Sequence, residues 1–363
     1  MPSPLRIAFF GSSLVSSYWN GAATYYRGIV RALAARGHKI TFYEPDAFGR
    51  QQHRDMADPD WAEVVVYPAR SEADAARALE QARGADIVVK ASGVGIFDAF
   101  LEREVLHLRG ERTQVVFWDV DAPATLEHVA KHPEEAFAGL VPKYDMVLTY
   151  GGGPRVVEAY HRLGAHRCLP IYNALDPDTH HPEPPNPNYA ADLSFLGNRL
   201  PDREARVDAF FMQAARCAPQ ADFLLGGSGW DDALPANVRC LGHVSTRDHN
   251  AFNCSARMVL NVNRDSMARF GFSPPTRVFE AVGAGACLIV DAWDGIEQFL
   301  EPGREVLVAH DAQEVCDYLH RIDPEQARRI GDRGRERLLR EHTYRHRAAQ
   351  LEGLLGDRVP VAA

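Results

Sequence analysis

The stretch RIAFFGSSLVSSYWNGAATYYRGIVRALAARGHKITFY, residues 6–43, decides the fold. It opens with an apolar run that stops at Gly11, the pattern of a strand buried on both faces of a parallel sheet. A loop rich in Ser, Asn and Gly follows. From Thr24 to Ala35 the apolar positions Tyr25, Ile29, Leu33 and Ala34 recur at helical spacing. Gly37 then supplies the helix stop before the next strand, Lys39 to Tyr43. This is a β-loop-α-β unit, and repeats of it build doubly wound sheets whose carboxyl edge holds ligands.

Working outward, the unit recurs. Strands are expected at Asp86 to Lys90, ending in Ala91-Ser92-Gly93; at Thr113 to Trp118, ending at Asp119; and at Asp145 to Thr149, ending in Tyr150-Gly151-Gly152-Gly153. The segment 173–189 then holds Pro177, Pro182, Pro184, Pro185 and Pro187, a density that removes ladder donors and reads as an interdomain connector. Beyond it a second series is expected at Asp192 to Leu196, Asp222 to Leu225, Val238 to Leu241, Met258 to Val262, Cys287 to Val290 and Glu305 to Val308. Glu325 to Glu341 reads as a helix with a solvated charged face. The expected organisation is a first domain over 1–172, a proline-rich linker over 173–190, and a second domain over 191–342. A C-terminal helix and tail over 343–363 can return to the first domain.

A chain of 363 residues accommodates two such domains. Its 49 acidic against 40 basic residues give a net charge of -9, which argues against nucleic-acid binding through a general basic surface. The six cysteines show no C-x-x-C and no metal-ligand spacing with histidine, so they read as reduced thiols of a cytoplasmic protein. Neither a signal peptide nor a transmembrane run of about 20 apolar residues is found in the sequence.

The chemistry concentrates in SPPTRVFEAVGAGA, residues 273–286. Pro274 and Pro275 fix an extended approach, Thr276 can cap a helix beginning near Arg277, and small residues from Ala281 to Ala286 permit close packing under a sheet. A helix amino end suits a phosphate. Arg277 stands in that first turn, where a cation is disfavoured unless it meets an anion. Glu280, three residues on, shares its helix face. It is either a partner for Arg277, a capping box with Thr276, or a carboxylate accepting two ribose hydroxyl hydrogens.

These residues resemble the donor-binding core of GT-B glycosyltransferases, in particular the spore-maturation-protein-like (CgeB-type) group. The resemblance rests on Leu260-Asn261-Val262-Asn263, on Pro275-Thr276-Arg277-Val278-Phe279-Glu280, and on Phe299, Gly303 and Glu305. It spans about residues 190 to 345. It implies two Rossmann-like doubly wound domains facing each other across a cleft, a nucleoside-diphosphate sugar held by the second, an acceptor on the side of the first, and retention of configuration. Retaining members carry a carboxylate in the loop ahead of the ribose-binding glutamate; here position 273 is serine, which leaves the backbone around Phe272 and Ser273 to contact the sugar.

SFLGNRLPDR, residues 194–203, reads as strand, turn and helix. There Gly197 and Asn198 allow close backbone approach and Arg199 can neutralise a leaving diphosphate. Asn263 and Arg264 follow the LNVN strand and can complete the anion site. On the acceptor side stand Gly11, Ser12, Ser13 and Asn20 in the first loop, and Asp119 and Asp121 after an apolar strand. Those two aspartates are either turn-capping residues or groups that orient an acceptor hydroxyl and take its proton. The expected catalytic set is Asp121, Arg199 and Arg277, with no metal and no cofactor beyond the donor. His180-His181 reads as polar linker, and His243 has no visible partner. A sugar-nucleotide 2-epimerase and a non-catalytic nucleotide-sugar-binding protein share the same features.

Overall fold

The computed structural model describes residues 3–18, 20–230 and 233–356. The chain divides into two compact units, one built from the residues up to Asn173 together with those from Tyr344 onward, the other Ala174–Thr343. The first unit holds β1 (Arg6–Phe10), β2 (Lys39–Asp46), β3 (Glu63–Pro68), β4 (Ile87–Ala91), β5 (Gln114–Asp119), β6 (Met146–Thr149) and β7 (Cys168–Pro170). They pair in parallel in the order β3-β2-β1-β4-β5-β6-β7. The second unit holds β8 (Ala191–Leu196), β9 (Phe223–Gly226), β10 (Val238–Gly242), β11 (Ala256–Asn261), β12 (Leu288–Asp291) and β13 (Leu307–Ala309). Their order is β10-β9-β8-β11-β12-β13, again all parallel.

Both sheets are doubly wound. The chain lays strands outward on one side of β1 or β8, then returns to lay the rest on the other side. The switch therefore falls between β1 and β4 in one unit and between β8 and β11 in the other, the positions where such sheets bind ligands.

The expected strands form, with shifts of one or two residues at their ends except in β2, which runs three residues past Tyr43 to Asp46. Two strands, β3 and β7, fall outside the expected set. The first is an edge strand whose Val64 to Val66 stay partly or fully exposed, and the second has only three residues. The last strand starts at Leu307 rather than Glu305 because the Glu305 carboxylate accepts the Glu301 N–H at 2.8 Å and closes a turn there. The helix Ala23–Ala34 buries Tyr25, Tyr26, Ile29, Val30 and Leu33. Its Tyr26 packs edge-on against Phe9, which stacks on Phe42 at 5.1 Å. In the second unit the core gathers Leu193, Phe195, Phe211, Phe223, Met258 and Ile289.

The proline-rich segment departs from the connector reading. It lies along the second unit, where Asn250 Nδ2 donates to the Thr179 carbonyl at 3.0 Å and the Asn186 N–H donates to Ser255 Oγ at 2.7 Å. Prolines fix an extended course, and an extended course can pack as well as span. The helix Tyr344–Gly356 belongs to the first unit. Its Arg347 donates to the carbonyls of Tyr172 and Asn173, and Glu352 accepts from His38 Nε2 at 2.9 Å. The rest of the expected tail, 357–363, lies outside the described residues. Among the described residues no helix is long and apolar enough to cross a membrane.

Candidate functional site

At the second unit's switch point the loops leaving β8 and β11 carry the polar residues. The Gly197 N–H donates to the Gly226 carbonyl at 2.8 Å, and its own carbonyl accepts from Trp230 Nε1 at 2.8 Å. A Cβ on Gly197 would lie 2.8 Å from Arg203 Nη2, and one on Gly227 would lie 2.1 Å from the Gly197 oxygen. Gly227 also sits at φ +125. Only glycine fits there. Asn198 Oδ1 accepts the Ser228 N–H at 2.9 Å, and its carbonyl accepts from Arg203.

Arg203 was missed by sequence reasoning, which stopped at Arg199. Its guanidinium lies 5.6 Å above the Phe195 ring, and its Nε is sealed from solvent without a hydrogen-bond partner among the described residues. Burial and the nearby Arg277, then Arg264, push it down to about 10 against the opposing pull of Asp202. The signal available in sequence was a second arginine, four residues after Arg199, in the same turn.

Arg199 points elsewhere. It pairs with Glu204, donates to the Gly229 carbonyl and lies 5.9 Å from the Trp230 ring. With Asp208, Met212, Arg216 and Trp230 it lines a separate small pocket. Arg264 pairs with Asp202, which ties the loop after β11 to the loop after β8. Asn263 is fully buried. Its N–H donates to Asp291 Oδ1 at 3.0 Å and its Oδ1 accepts from Asn261, while its Nδ2 has no hydrogen-bond partner among the described residues.

The helix Thr276–Gly283 starts one residue earlier than expected. Pro275 takes the cap position with extended backbone, so Thr276 is the first helical residue rather than the cap. Its hydroxyl instead bonds the Glu280 carboxylate. The Arg277 side chain is 19% exposed, and its Nε stands 3.9 Å from Glu280 Oε2. Its Nη1 is sealed from solvent with no hydrogen-bond partner among the described residues. Burial raises the Glu280 carboxyl, but His180, Arg277, His249 and the Thr276 hydroxyl together hold it below the usual range.

Two histidines thus join the cluster that sequence reasoning left out. His180 belongs to the proline-rich segment, and its backbone lies 3.2 Å from where a Cβ on Gly283 would stand. His249 opens the helix His249–Ser255; burial and the Arg277 charge push it down to about 4, so it is neutral at pH 7. His243 is exposed. Ser273 is buried, with its hydroxyl donating to the Gly271 carbonyl at 3.0 Å. The preceding Phe272 holds φ +47.

In the first unit the acceptor-side candidates hold one another. Ser12 Oγ donates to Asn20 Oδ1 at 2.8 Å, and Asn20 Nδ2 donates to the Ser13 and Ser16 carbonyls. Ser13 Oγ donates to the buried Glu44 at 3.0 Å. The Gly11 N–H donates to the Tyr43 carbonyl at 3.1 Å. Asp119 is wholly buried and accepts from Ser92, Thr125, the Asp121 N–H and Tyr160. Burial pushes its carboxyl up despite those donors. Asp121 stands just before the helix Ala122–Lys131, partly exposed, so the pair divides into an inner anchor and an outer carboxylate. Among the described residues no group of three or more His, Cys, Asp or Glu side chains is placed to hold a metal ion.

Residues 203–353 match a family model described as glycosyl transferase-like. Solved structures similar over nearly the whole chain include the Anabaena protein HepE, in complex with UDP and glucose, at 14% identity and TM-score 0.68, covering 98% of this chain and 100% of that one. Sucrose-phosphate synthase from Thermosynechococcus elongatus matches at 16% identity and TM-score 0.68, covering 96% and 98%. A glycosyltransferase from Rickettsia africae matches at 10% identity and TM-score 0.66, covering 99% and 100%. No curated protein matches the sequence significantly. The two parallel doubly wound sheets are those of the GT-B fold.

Proposed function

We propose that the chain is a glycosyltransferase that moves a sugar from a nucleoside-diphosphate donor to an acceptor, with retention and without a divalent metal. The observation that carries this reading is the Arg277 guanidinium, held in the first turn of a helix with its Nη1 buried and unpartnered. A buried cationic nitrogen without an acceptor costs several kcal/mol. A diphosphate would supply the missing acceptor, and Arg277 and Arg264 both bear electrostatically on Arg203, so the three cations can act on one anion. The family model over residues 203–353 supports the same class, and the P-x-R-x-F-E motif supports the CgeB-type group within it.

Each residue then has a task. Glu280, held below the usual carboxylate range chiefly by its neighbours His180 and Arg277, accepts the ribose hydroxyl hydrogens. Arg277, Arg203 and the helix amino end stabilise the charge that grows on the leaving diphosphate, a preorganised electrostatic contribution. Arg199, paired with Glu204 and lining a separate pocket, is left out of the donor-binding set in this reading. On the acceptor side Asp119 fixes the loop, and Asp121 orients the hydroxyl and takes its proton.

The test is calorimetry of the full chain with UDP, GDP, ADP and dTDP. UDP comes first because HepE was solved with UDP and with UDP-glucose. Binding of one nucleoside diphosphate at micromolar level, abolished in Arg277→Met, supports the reading; no binding of any sinks it. Incubation with a sugar donor and no acceptor separates transfer from 2-epimerisation, since only an epimerase would interconvert the donor sugar.

A further inference from the structure

The first unit's own switch point is filled. Arg50, on the turn after β2, is 6% exposed and sends Nη1 to the Ser12 carbonyl after β1 and to the Val94 carbonyl after β4, both at 3.1 Å. The crevice that would hold a phosphate in such a sheet is thus bridged by the chain itself. Next to this plug the chain turns aromatic surface outward. Phe48 is 55% exposed and Tyr18 39%; the other two exposed large hydrophobic side chains among the described residues, Val66 and Leu241, lie on the edge strands β3 and β10.

Phe48 is not a loose surface ring. It holds φ +57, a left-handed backbone that a bulky residue adopts only at a cost, and its ring lies over the Arg50 guanidinium at 5.0 Å. Its ring edge lies against Gly95, where a Cβ would be 2.8 Å away. The Gly95 loop is itself clamped, its Val94 and Gly95 N–H groups donating to Asp98. Tyr18 is held in the same way: its ring stacks on His53 at 4.0 Å, and the His53 carbonyl accepts from Ser16. His53 in turn bonds the carbonyl of Gly49, the residue after Phe48. One rigid turn, 48–53, therefore supports both rings.

We propose that Phe48 and Tyr18 form a stacking platform for the acceptor and that this acceptor is a saccharide. The inference rests on the glycosyltransferase reading. A pyranose presents C–H bonds on one face, which meet the negative face of an aromatic ring, and hydroxyls around its edge. The platform offers that combination: two separate ring faces bordered by the His53 imidazole and by the Asp55 carboxylate, which Ser17 and Arg27 hold in place. A lipid would need a broad continuous apolar patch, and two rings set among polar groups do not make one. A phosphorylated ligand would need the crevice that Arg50 occupies.

The test uses the full chain and methyl hexopyranosides with their disaccharides as probes, read by saturation-transfer NMR with and without UDP. Phe48→Gly suits the left-handed backbone, so the melting temperature should hold or rise. Saccharide binding should fall at least tenfold in Phe48→Gly and in Tyr18→Ala and survive in Phe48→Trp, while UDP affinity stays within twofold in all three. No saccharide binding, or binding indifferent to Phe48→Gly, overturns the proposal. So does Phe48-dependent binding of p-nitrophenol or phosphatidylglycerol vesicles in place of saccharides. UDP binding without saccharide binding would fell this proposal and leave the donor reading intact; saccharide binding at Phe48 without any nucleotide binding would fell the donor reading and, with it, the platform's role as an acceptor site.

Discussion

Replacing Arg277 by methionine separates a structural role from a donor-binding one. With Nε 3.9 Å from Glu280 Oε2, attraction between the two charges is about 4 kcal/mol at an effective dielectric of 20. Taking both ions out of water costs several kcal/mol each. The attraction does not cover that cost, and Nη1 still lacks an acceptor. In Arg277→Met the cation's desolvation disappears, and with the Arg277 charge gone His249 is freer to take up a proton beside Glu280, which also keeps the Thr276 hydroxyl. Unfolding free energy in urea should therefore move by no more than about 1–2 kcal/mol in either direction. Affinity for a nucleoside diphosphate should drop by about 1.5–3 kcal/mol, or roughly tenfold to more than a hundredfold, because a charged hydrogen bond is lost. Urea titration and calorimetry on the same preparation read the two quantities. If stability fell by 4 kcal/mol while affinity stayed within twofold, Arg277 would be a structural partner of Glu280 and the diphosphate argument would fail.

Three further outcomes follow from the geometry. Asp121→Asn should lower turnover at least tenfold with donor affinity unchanged, as for a group acting in the transition state, and EDTA should leave activity intact; Mn²⁺-dependent rescue together with lost donor binding would refute this. His249, ordinarily near 6.5 and held at about 4 by burial and Arg277, resists the proton that the unfolded chain takes up. Stability should therefore decline as pH falls from about 6.5 toward 4, by on the order of 2 kcal/mol at pH 4.5, and His249→Phe should flatten that slope; parallel pH profiles for the two proteins would count against it. Gly227→Ala forces a Cβ onto the Gly197 carbonyl at a left-handed φ and should cost at least about 2 kcal/mol with a matching loss of nucleotide binding; a wild-type melting curve would show that the loop can move aside.

What could be read from the chain divides along physical lines. The parallel strands were legible because strands buried on both faces are continuous apolar runs, as in Ile7 to Phe10 and Leu288 to Val290. Arg277 and Glu280 were legible because helical spacing fixes which side chains share a face. Arg203, His180 and His249 were not. Their place in the cluster depends on how a loop, a proline-rich segment and a short helix fold over the sheet edge, and no local periodicity encodes that. The DVD motif illustrates the same limit: period-two geometry pairs Asp119 with Asp121, yet Tyr160 and Ser92, distant in sequence, decide that Asp119 is buried and bonded.

The return of Tyr344–Gly356 to the first unit bears on how the chain emerges during synthesis. A Cβ on Gly28 would collide with the Tyr344 ring at 2.2 Å, and Arg36 and His38 both meet Glu352, so the face of the first unit around Gly28 is completed by residues translated after the whole second unit. The second unit, Ala174–Thr343, is continuous and has every strand of its sheet in hand before that helix leaves the ribosome. The unit begun first is therefore the one finished last, and in the interval its Tyr25, Ile29 and Leu33 helix lacks its cover. Released chains truncated after Thr343 should be cut by protease within the first 173 residues sooner than within the second unit.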